Sequence, residues 1–492
     1  MLRLEEQGVS WIHTQGDSER TALWLIGLLV LGRLAIGALT PLTPDEAYYA
    51  LWARSLSAGY YDHPPIIAFF IRAGTSLLGE TPLGVRLFCV LSAIPASAFV
   101  WRAAAILTAD RRAAPLAALF FNLTLLGYFG MVVATPDAPL ILFAAAMLYC
   151  AARLTTSDHL AHWLAMGVAT GLAFEAKYSA ALLAAGFSVA VLITPQWRRQ
   201  LLGPKPWLAL FVSVLFFAPN IAWNATHGWA TFLKQGGRVT EEQPLAPRYI
   251  LELVGAQLGL ATPFIFALAV IGLIPAAAAA YRSPAARRLL LALLIVPTAY
   301  FLFHALRARV EGNWPGFLYP ALAITAAAAT SREAGGVRGF LSRFAAPVAL
   351  AIVIFGSIYV VAGPLPALGR KDPILRMTRG WNELATEIRV LARENGAGYV
   401  VTHDYQLNAE LALLLPELKV AQANDRERYA TLAEPRPEAF RGTGLMVMRS
   451  ELPGDFKVPF ATITSLGTVD QRYGDAVITP FHIYRVDISP DS

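Results

Sequence analysis

Residues 21–40 read TALWLIGLLVLGRLAIGALT, and residues 41–49 continue PLTPDEAYY. The first stretch carries a single charge, Arg33, and is long enough to cross a bilayer, which takes about 20 apolar residues. Two carboxylates, Asp45 and Glu46, stand just past its end. A second acidic cluster, Tyr60-Tyr61-Asp62-His63-Pro64-Pro65, follows seventeen residues after Asp45. Ionisable groups at that depth are costly, so two such clusters beside a first span point to chemistry at the membrane surface.

The rest of the chain has the same character. Of 492 residues, 56% are hydrophobic and 15% are charged, where a soluble protein carries about 25% charge. This is an integral membrane protein. The net charge of +6 is spread over short basic clusters between apolar runs. That is the pattern of the positive-inside rule, and no single basic stripe for nucleic acid exists. Cys89 and Cys150 lie within apolar runs and read as small core hydrophobes, without a disulfide framework. Glu5, Glu6, Asp17 and Glu19 make a poor signal-peptide start, so the first span is expected to be retained.

Further candidate spans are 84–107, 114–133, 138–155, 207–224, 251–280, 289–304, 315–330 and 344–362. The stretch 163–195 is resolved by parity. If the clusters at Arg111-Arg112, Arg198-Arg199-Lys205, Arg282-Arg287-Arg288 and Arg332-Arg338-Arg343 all face the cytoplasm, it must cross twice, turning near Glu175-Ala176-Lys177. This gives eleven expected spans, a cytoplasmic N-terminus, and loops 41–83, 134–137, 175–178, 225–250 and 304–314 on the outer face. Ala47–Ser57 and Ile66–Leu78 have helical periodicity and are expected to lie in the interface. Residues 1–362 form the expected membrane domain. Residues 363–492 are expected to form a small outer α/β domain, with a helix at Arg379–Arg393 and strands at Gly398–Thr402, Gly444–Met448, Ala476–Ile478 and Phe481–Val486.

Parity therefore gathers Asp45, Glu46, Asp62, His63, Asp137, Lys177, His227, Lys234, Arg238, Arg309, Glu311 and Asn313 on one face. Cations there would meet an anionic, phosphate-bearing substrate. Carboxylates beside it would act as a general base or share a divalent metal, with Asp45 and Asp62 the pair for that alternative. Each group also has a structural reading. Asp45-Glu46 could open a helix; Tyr61-Asp62-His63-Pro64-Pro65 could be a stiff surface turn. Asp137 could cap the following helix, Lys177 could pair with Glu175, and Trp223, Trp229 and Trp314 could be belt anchors. With eight His and no His-Glu-x-x-His spacing, a zincin-type protease is disfavoured. A transporter would set its ionisable groups near the midplane of repeated, broken helices, and no repeat is visible. An inactive lipid-binding scaffold is the third reading.

Taken in order, Asp45-Glu46-Ala47-Tyr48-Tyr49, Tyr61-Asp62-His63-Pro64-Pro65, Thr135-Pro136-Asp137-Ala138-Pro139, Ala176-Lys177-Tyr178, Trp223-Asn224 with His227-Gly228-Trp229, and Asn313-Trp314-Pro315 resemble a known superfamily. It comprises the bacterial membrane glycosyltransferases related to the aminoarabinose transferase of lipid A and to protein O-mannosyltransferases, of GT-C fold. The resemblance covers about residues 20–330. It implies inverting transfer of a sugar from a polyprenyl-phosphate donor to an envelope lipid or glycan at the outer face of a bacterial inner membrane. A protein acceptor or a lipid-linked sugar flippase is the alternative. It implies Asp45 as base, with Glu46 and Asp62 as its acidic company, and Lys177, Arg238 and His63 as donor-phosphate ligands. In the aminoarabinose transferase a Glu-Lys pair stands where this chain has Asp62-His63. Tyr48, Tyr49, Tyr61, Asp137, His227, Asn313 and Trp314 are the expected substrate-binding residues. The expected partners are donor, acceptor and membrane lipids, for a monomer that binds no nucleic acid.

Overall fold

A computed structural model describes residues 2–488 apart from 241–243, 331–334, 364–371, 425, 430, 432–439 and 453–459; the side chains of 2–17, 238–240, 373 and 488 also lie outside it. The chain begins with α1 (Leu2–Leu39), α2 (Pro44–Arg54), α3 (Ile66–Leu78) and α4 (Pro82–Leu107). There follow α5 (Ala113–Leu123), α6 (Leu125–Phe129), α7 (Asp137–Leu154), α8 (Leu160–Ala176), α9 (Ala180–Ile193) and α10 (Pro195–Gln200). Next come α11 (Lys205–Thr226), α12 (Ala230–Thr240), α13 (Arg248–Leu260), α14 (Pro263–Leu273) and α15 (Pro284–Ala305). The helical part closes with α16 (Tyr319–Ala329) and α17 (Gly336–Ala362).

Among the described residues six helices are long and apolar enough to cross a membrane, or seven if the bent pair α13–α14 counts as one span. The eleven expected spans therefore shrink, because several apolar runs are broken into short helices. Residues 114–133 split at Thr124, whose side chain caps α6. The run 163–195 breaks at Lys177, where the turn was expected, into α8 and α9. Residues 251–280 bend by 108° between α13 and α14. Pro263 disfavours helix at the residue before it, and Thr262 takes φ 60°.

Packing of the bundle follows membrane rules. Gly167 and Gly171 of α8, one turn apart, lie against the backbone of Ala209 and Ser213 of α11, so close that a Cβ would meet their carbonyl oxygens at 2.4 and 2.6 Å. Small residues at that spacing let helices meet backbone to backbone where no hydrophobic force drives them together. Arg33, buried within α1, donates from Nε and Nη2 to the carbonyls of Tyr128 and Gly127 at 3.1 and 3.0 Å. Outward faces expose large apolar side chains such as Trp24, Leu28, Phe211, Leu215 and Phe355, as a lipid-facing surface does.

Beyond α17 the chain forms α18 (Pro373–Thr378), α19 (Trp381–Glu394), β1 (Tyr399–Thr402), α20 (Tyr405–Leu414), β2 (Lys419–Gln422), β3 (Gly442–Met448), β4 (Thr462–Tyr473) and β5 (Ala476–Ile488). The sheet runs β2-β1-β3-β5-β4. Its first three strands are parallel and the β3-β5-β4 half is antiparallel. The expected α19, β1 and β3 are present. The two expected strands at 476–478 and 481–486 fuse into β5 across Pro480. That proline is tolerated because β3 flanks β5 only from His482 onward, leaving one side open at Pro480. β2 and β4 were not expected: β2 is four residues long, and β4 is a polar edge strand without clear alternation.

Of the two expected interfacial helices, α3 keeps its bounds and α2 starts earlier, at Pro44. α2 is not laid out on a surface. Nine of its eleven residues are buried, in a cluster that also takes in Ala409 and Tyr429 of the C-terminal unit.

Candidate active site

The start of α2 separates the two acidic neighbours. Thr43 and Glu46 form a reciprocal capping box, and Pro44 occupies the first turn, where its missing N–H costs nothing. Glu46 is then buried completely. Its Oε1 accepts from Arg86 Nε at 2.6 Å and Ala134 N at 2.9 Å; its Oε2 accepts from Arg86 Nη2 at 2.6 Å and Thr43 N at 2.9 Å. Burial alone would raise its pKa, but the Arg86 charge and these hydrogen bonds outweigh burial and hold it below the ordinary value. Both Glu46 oxygens, expected in a catalytic role, accept structural hydrogen bonds, and the residue joins α2, α4 and the loop before α7.

Asp45, one residue earlier, turns toward the C-terminal unit. Its Oδ1 accepts from Tyr405 Oη at 3.1 Å and Gln406 Nε2 at 3.2 Å. Asp62, buried in the loop between α2 and α3, accepts on Oδ2 from Tyr48 Oη at 2.8 Å and Arg428 Nη1 at 2.5 Å. Among the described residues Asp45 Oδ2 and Asp62 Oδ1 have no further hydrogen-bond partner, so each carboxylate is clamped by one oxygen and offers the other. The guanidinium of Arg428 lies 4.4 Å from the Tyr405 ring centre, which links the two clamps. The Tyr49 phenol is pushed well up, first by burial and then by the charges of Asp45 and Asp62, with smaller shares from Tyr405 and Asp137.

Asp137 is the first residue of α7 and makes no cap hydrogen bond. Its oxygens are taken by Lys177 Nζ and Asn313 Nδ2, both at 2.8 Å. Three sequence-distant motifs thus meet as expected, but Lys177 pairs with Asp137 and not with Glu175. The pair is largely buried, at 13% and 7% side-chain exposure. Lys177→Met should therefore destabilise the chain by a few kcal/mol, because it strands the Asp137 carboxylate; Lys177→Met with Asp137→Asn should recover much of that loss. Melting temperatures of the two variants in detergent check this.

The remaining expected residues are placed less centrally. Lys234 of α12 lies 5.3 Å from the centre of the Tyr61 ring, and Arg428 lies 5.7 Å from it, so two cations attend one aromatic face of the site. The Gln235 amide donates to the Asp62 carbonyl at 2.6 Å, which ties α12 to the same loop. The His63 ring lies 6.3 Å from that of Tyr49. His227 stacks on Trp223 at 4.0 Å and hydrogen-bonds the Trp223 carbonyl. Trp314 packs 5.9 Å from His304. Arg309 and Glu311 are exposed, and Arg309 pairs with both Glu252 and Glu311. The side chain of Arg238 lies outside the described residues.

As for a shared metal, among the described residues no group of three His, Cys, Asp or Glu side chains converges. Asp45 and Asp62 already spend one oxygen each on protein donors. Two single oxygens are a poor ligand set for a hard cation that takes six or more oxygens. A cavity of about 320 Å³ lies against the Ala50–Ala53–Arg54 face of α2, and none of the three carboxylates lines it.

Reading the sequence missed Tyr405, Gln406 and Arg428, which come from beyond the stretch that carries the resemblance. Their only local signal is position, just after β1 and β2.

Residues 62–223 match the dolichyl-phosphate-mannose-protein mannosyltransferase family. Over 380 residues the chain is 27% identical to the lipid A galacturonosyltransferase RgtD of Rhizobium johnstonii, covering 75% of this chain and 76% of that one. Over 226 residues it is 29% identical to the undecaprenyl phosphate-alpha-4-amino-4-deoxy-L-arabinose arabinosyl transferase of Pectobacterium carotovorum, covering 41% of this chain and 40% of that one. The crystal structure of ArnT from Cupriavidus metallidurans bound to undecaprenyl phosphate has the same fold, with TM-score 0.62 at 16% identity over 94% of this chain and 97% of that one. Carboxylates and cations converging at one end of a helical bundle, the family match and the shared fold lead to one conclusion: the chain is a membrane glycosyltransferase of the GT-C fold.

Proposed function

We propose that this transferase moves a sugar from a polyprenyl-phosphate donor to an envelope glycolipid of the lipid A or lipopolysaccharide kind, with inversion. On this reading the site and residues 363–492 face the periplasm, and residues 1–362 form the catalytic membrane domain. The names of the relatives support this substrate class. The observation that carries the chemistry is the pair of half-clamped carboxylates, Asp45 with Oδ2 available and Asp62 with Oδ1 available.

The acceptor hydroxyl attacks the anomeric carbon from the side opposite the phosphate. Asp45 Oδ2 takes its proton, the new C–O bond forms, and the bond from the anomeric carbon to the phosphate oxygen breaks with its electron pair left on the phosphate. The departing phosphate is met by Lys234 beside Tyr61, with His63 and Arg238 as further proposed ligands. Lys177 acts one step removed, holding Asp137 and through it Asn313. Asp62 Oδ1 would fix a hydroxyl of the donor sugar or of the acceptor.

Mass spectrometry of envelope lipids from a deletion strain and its parent tests this. One glycolipid species is expected to lose the mass of a single sugar. Loss confined to glycoproteins would instead support transfer to protein.

A further inference from the structure

We propose that Arg428 is a positioning residue of the transfer reaction, acting through Asp62, so that the C-terminal unit completes the active site. This rests on the transferase reading above and deepens it.

The sheet topology explains how such a residue arrives there. Strand β1 leads through α20 to β2 on one side, and the chain then returns to β3 on the other, so the order β2-β1-β3 places a topological switch between β1 and β3. In sheets of this kind the crevice outside the carboxyl ends of the strands, at the switch, is where ligands are handled. Here that edge docks on α2. Asp404, just after β1, pairs with Arg449, just after β3, at 3.3 Å. The segment after β1 supplies Tyr405 and Gln406 to Asp45, and the segment after β2 supplies Arg428 to Asp62. Two more bonds fasten the second segment to the membrane part: Tyr48 Oη to the Arg428 carbonyl at 3.2 Å and Ser55 Oγ to the Thr431 carbonyl at 2.6 Å.

The geometry at Asp62 assigns the role. Arg428 and Tyr48 both donate to Oδ2, which fixes the carboxylate plane and leaves Oδ1 for substrate. The Arg428–Asp62 pair is 11% and 7% exposed, so water competes little for either partner. Neutralising Arg428 frees Asp62 to rotate. A small misplacement of a group that touches substrate is enough to cost about 10²-fold in rate.

The test uses the full-length chain in a deletion strain, with conversion of the affected glycolipid read by mass spectrometry at matched protein levels. Arg428→Gln is expected to lower the conversion rate by about 10²-fold. Arg428→Lys is expected to recover about tenfold of that, since an ammonium keeps the charge without the planar fork. A role confined to folding would not predict the decisive comparison: Asp62→Asn with Arg428→Gln should be no slower than Asp62→Asn alone. Wild-type rates in Arg428→Gln, or a full second loss on top of Asp62→Asn, would overturn the assignment of Arg428 while leaving the transferase reading intact. Absence of conversion by the wild-type chain would overturn both.

Discussion

Asp45→Asn is expected to slow sugar transfer by about 10²–10⁴-fold while leaving the fold and its melting temperature nearly unchanged. The argument is local. The Oδ1 atom of Asp45 accepts from Tyr405 and Gln406, and the carboxamide oxygen of asparagine accepts from both equally well. The other oxygen, without a partner among the described residues, becomes an NH2 that cannot take a proton. The variant therefore removes the base and little else. Turnover measured beside a thermal unfolding curve separates the two effects. A parallel fall in melting temperature would mean that Asp45 is a structural tie to the C-terminal unit and not the base.

Arg86→Ala carries the largest expected effect on stability, a loss of about 3–5 kcal/mol. Arg86 reaches six acceptors at once: both Glu46 oxygens, the Thr40 side chain, and the Thr40 and Pro41 carbonyls at 2.6–2.8 Å, and the Gly37 carbonyl at 3.2 Å. Deleting it leaves a carboxylate in a site with no solvent exposure. Arg54→Ala is the control. Its pair with Glu80 is just as short, at 2.7 Å, but 36% and 57% exposed. It should therefore cost no more than about 1 kcal/mol. The sign of the pH dependence follows from Glu46, whose folded pKa lies below its unfolded one. Its contribution is complete above the unfolded value near 4.3. It is lost as pH falls through the folded value, so the gap between wild type and Arg86→Ala should narrow in acid. Unfolding in detergent between neutral and acid pH reads both effects.

Local patterns were legible in the sequence; long-range pairings were not. Apolar runs located the helices, and an interruption at Lys177 marked the break between α8 and α9. Asp137, Lys177 and Asn313 were each visible as polar residues at the ends of apolar runs, and they do meet. What could not be read was which of two adjacent acids would be buried. Asp45 and Glu46 differ only in helical phase: one points at α20, the other at α4, and phase matters only once the neighbours are known. Arg428 was beyond reach for another reason. It lies 366 residues from Asp62, in a segment whose local composition resembles any solvated turn, and only the sheet topology carries it to the site. Fewer helices than the expected eleven spans are long and apolar enough to cross among the described residues, because apolar composition does not reveal where a Thr cap or a proline cuts a run in two.

The most direct test of the central claim is complementation of a deletion strain with wild type and with Asp45→Asn, followed by mass spectrometry of the envelope glycolipids. The expected result is a species lacking one sugar in the deletion strain, restored by the wild-type chain and not by Asp45→Asn at equal membrane levels. An unchanged glycolipid profile in the deletion strain, or full restoration by Asp45→Asn, would contradict it.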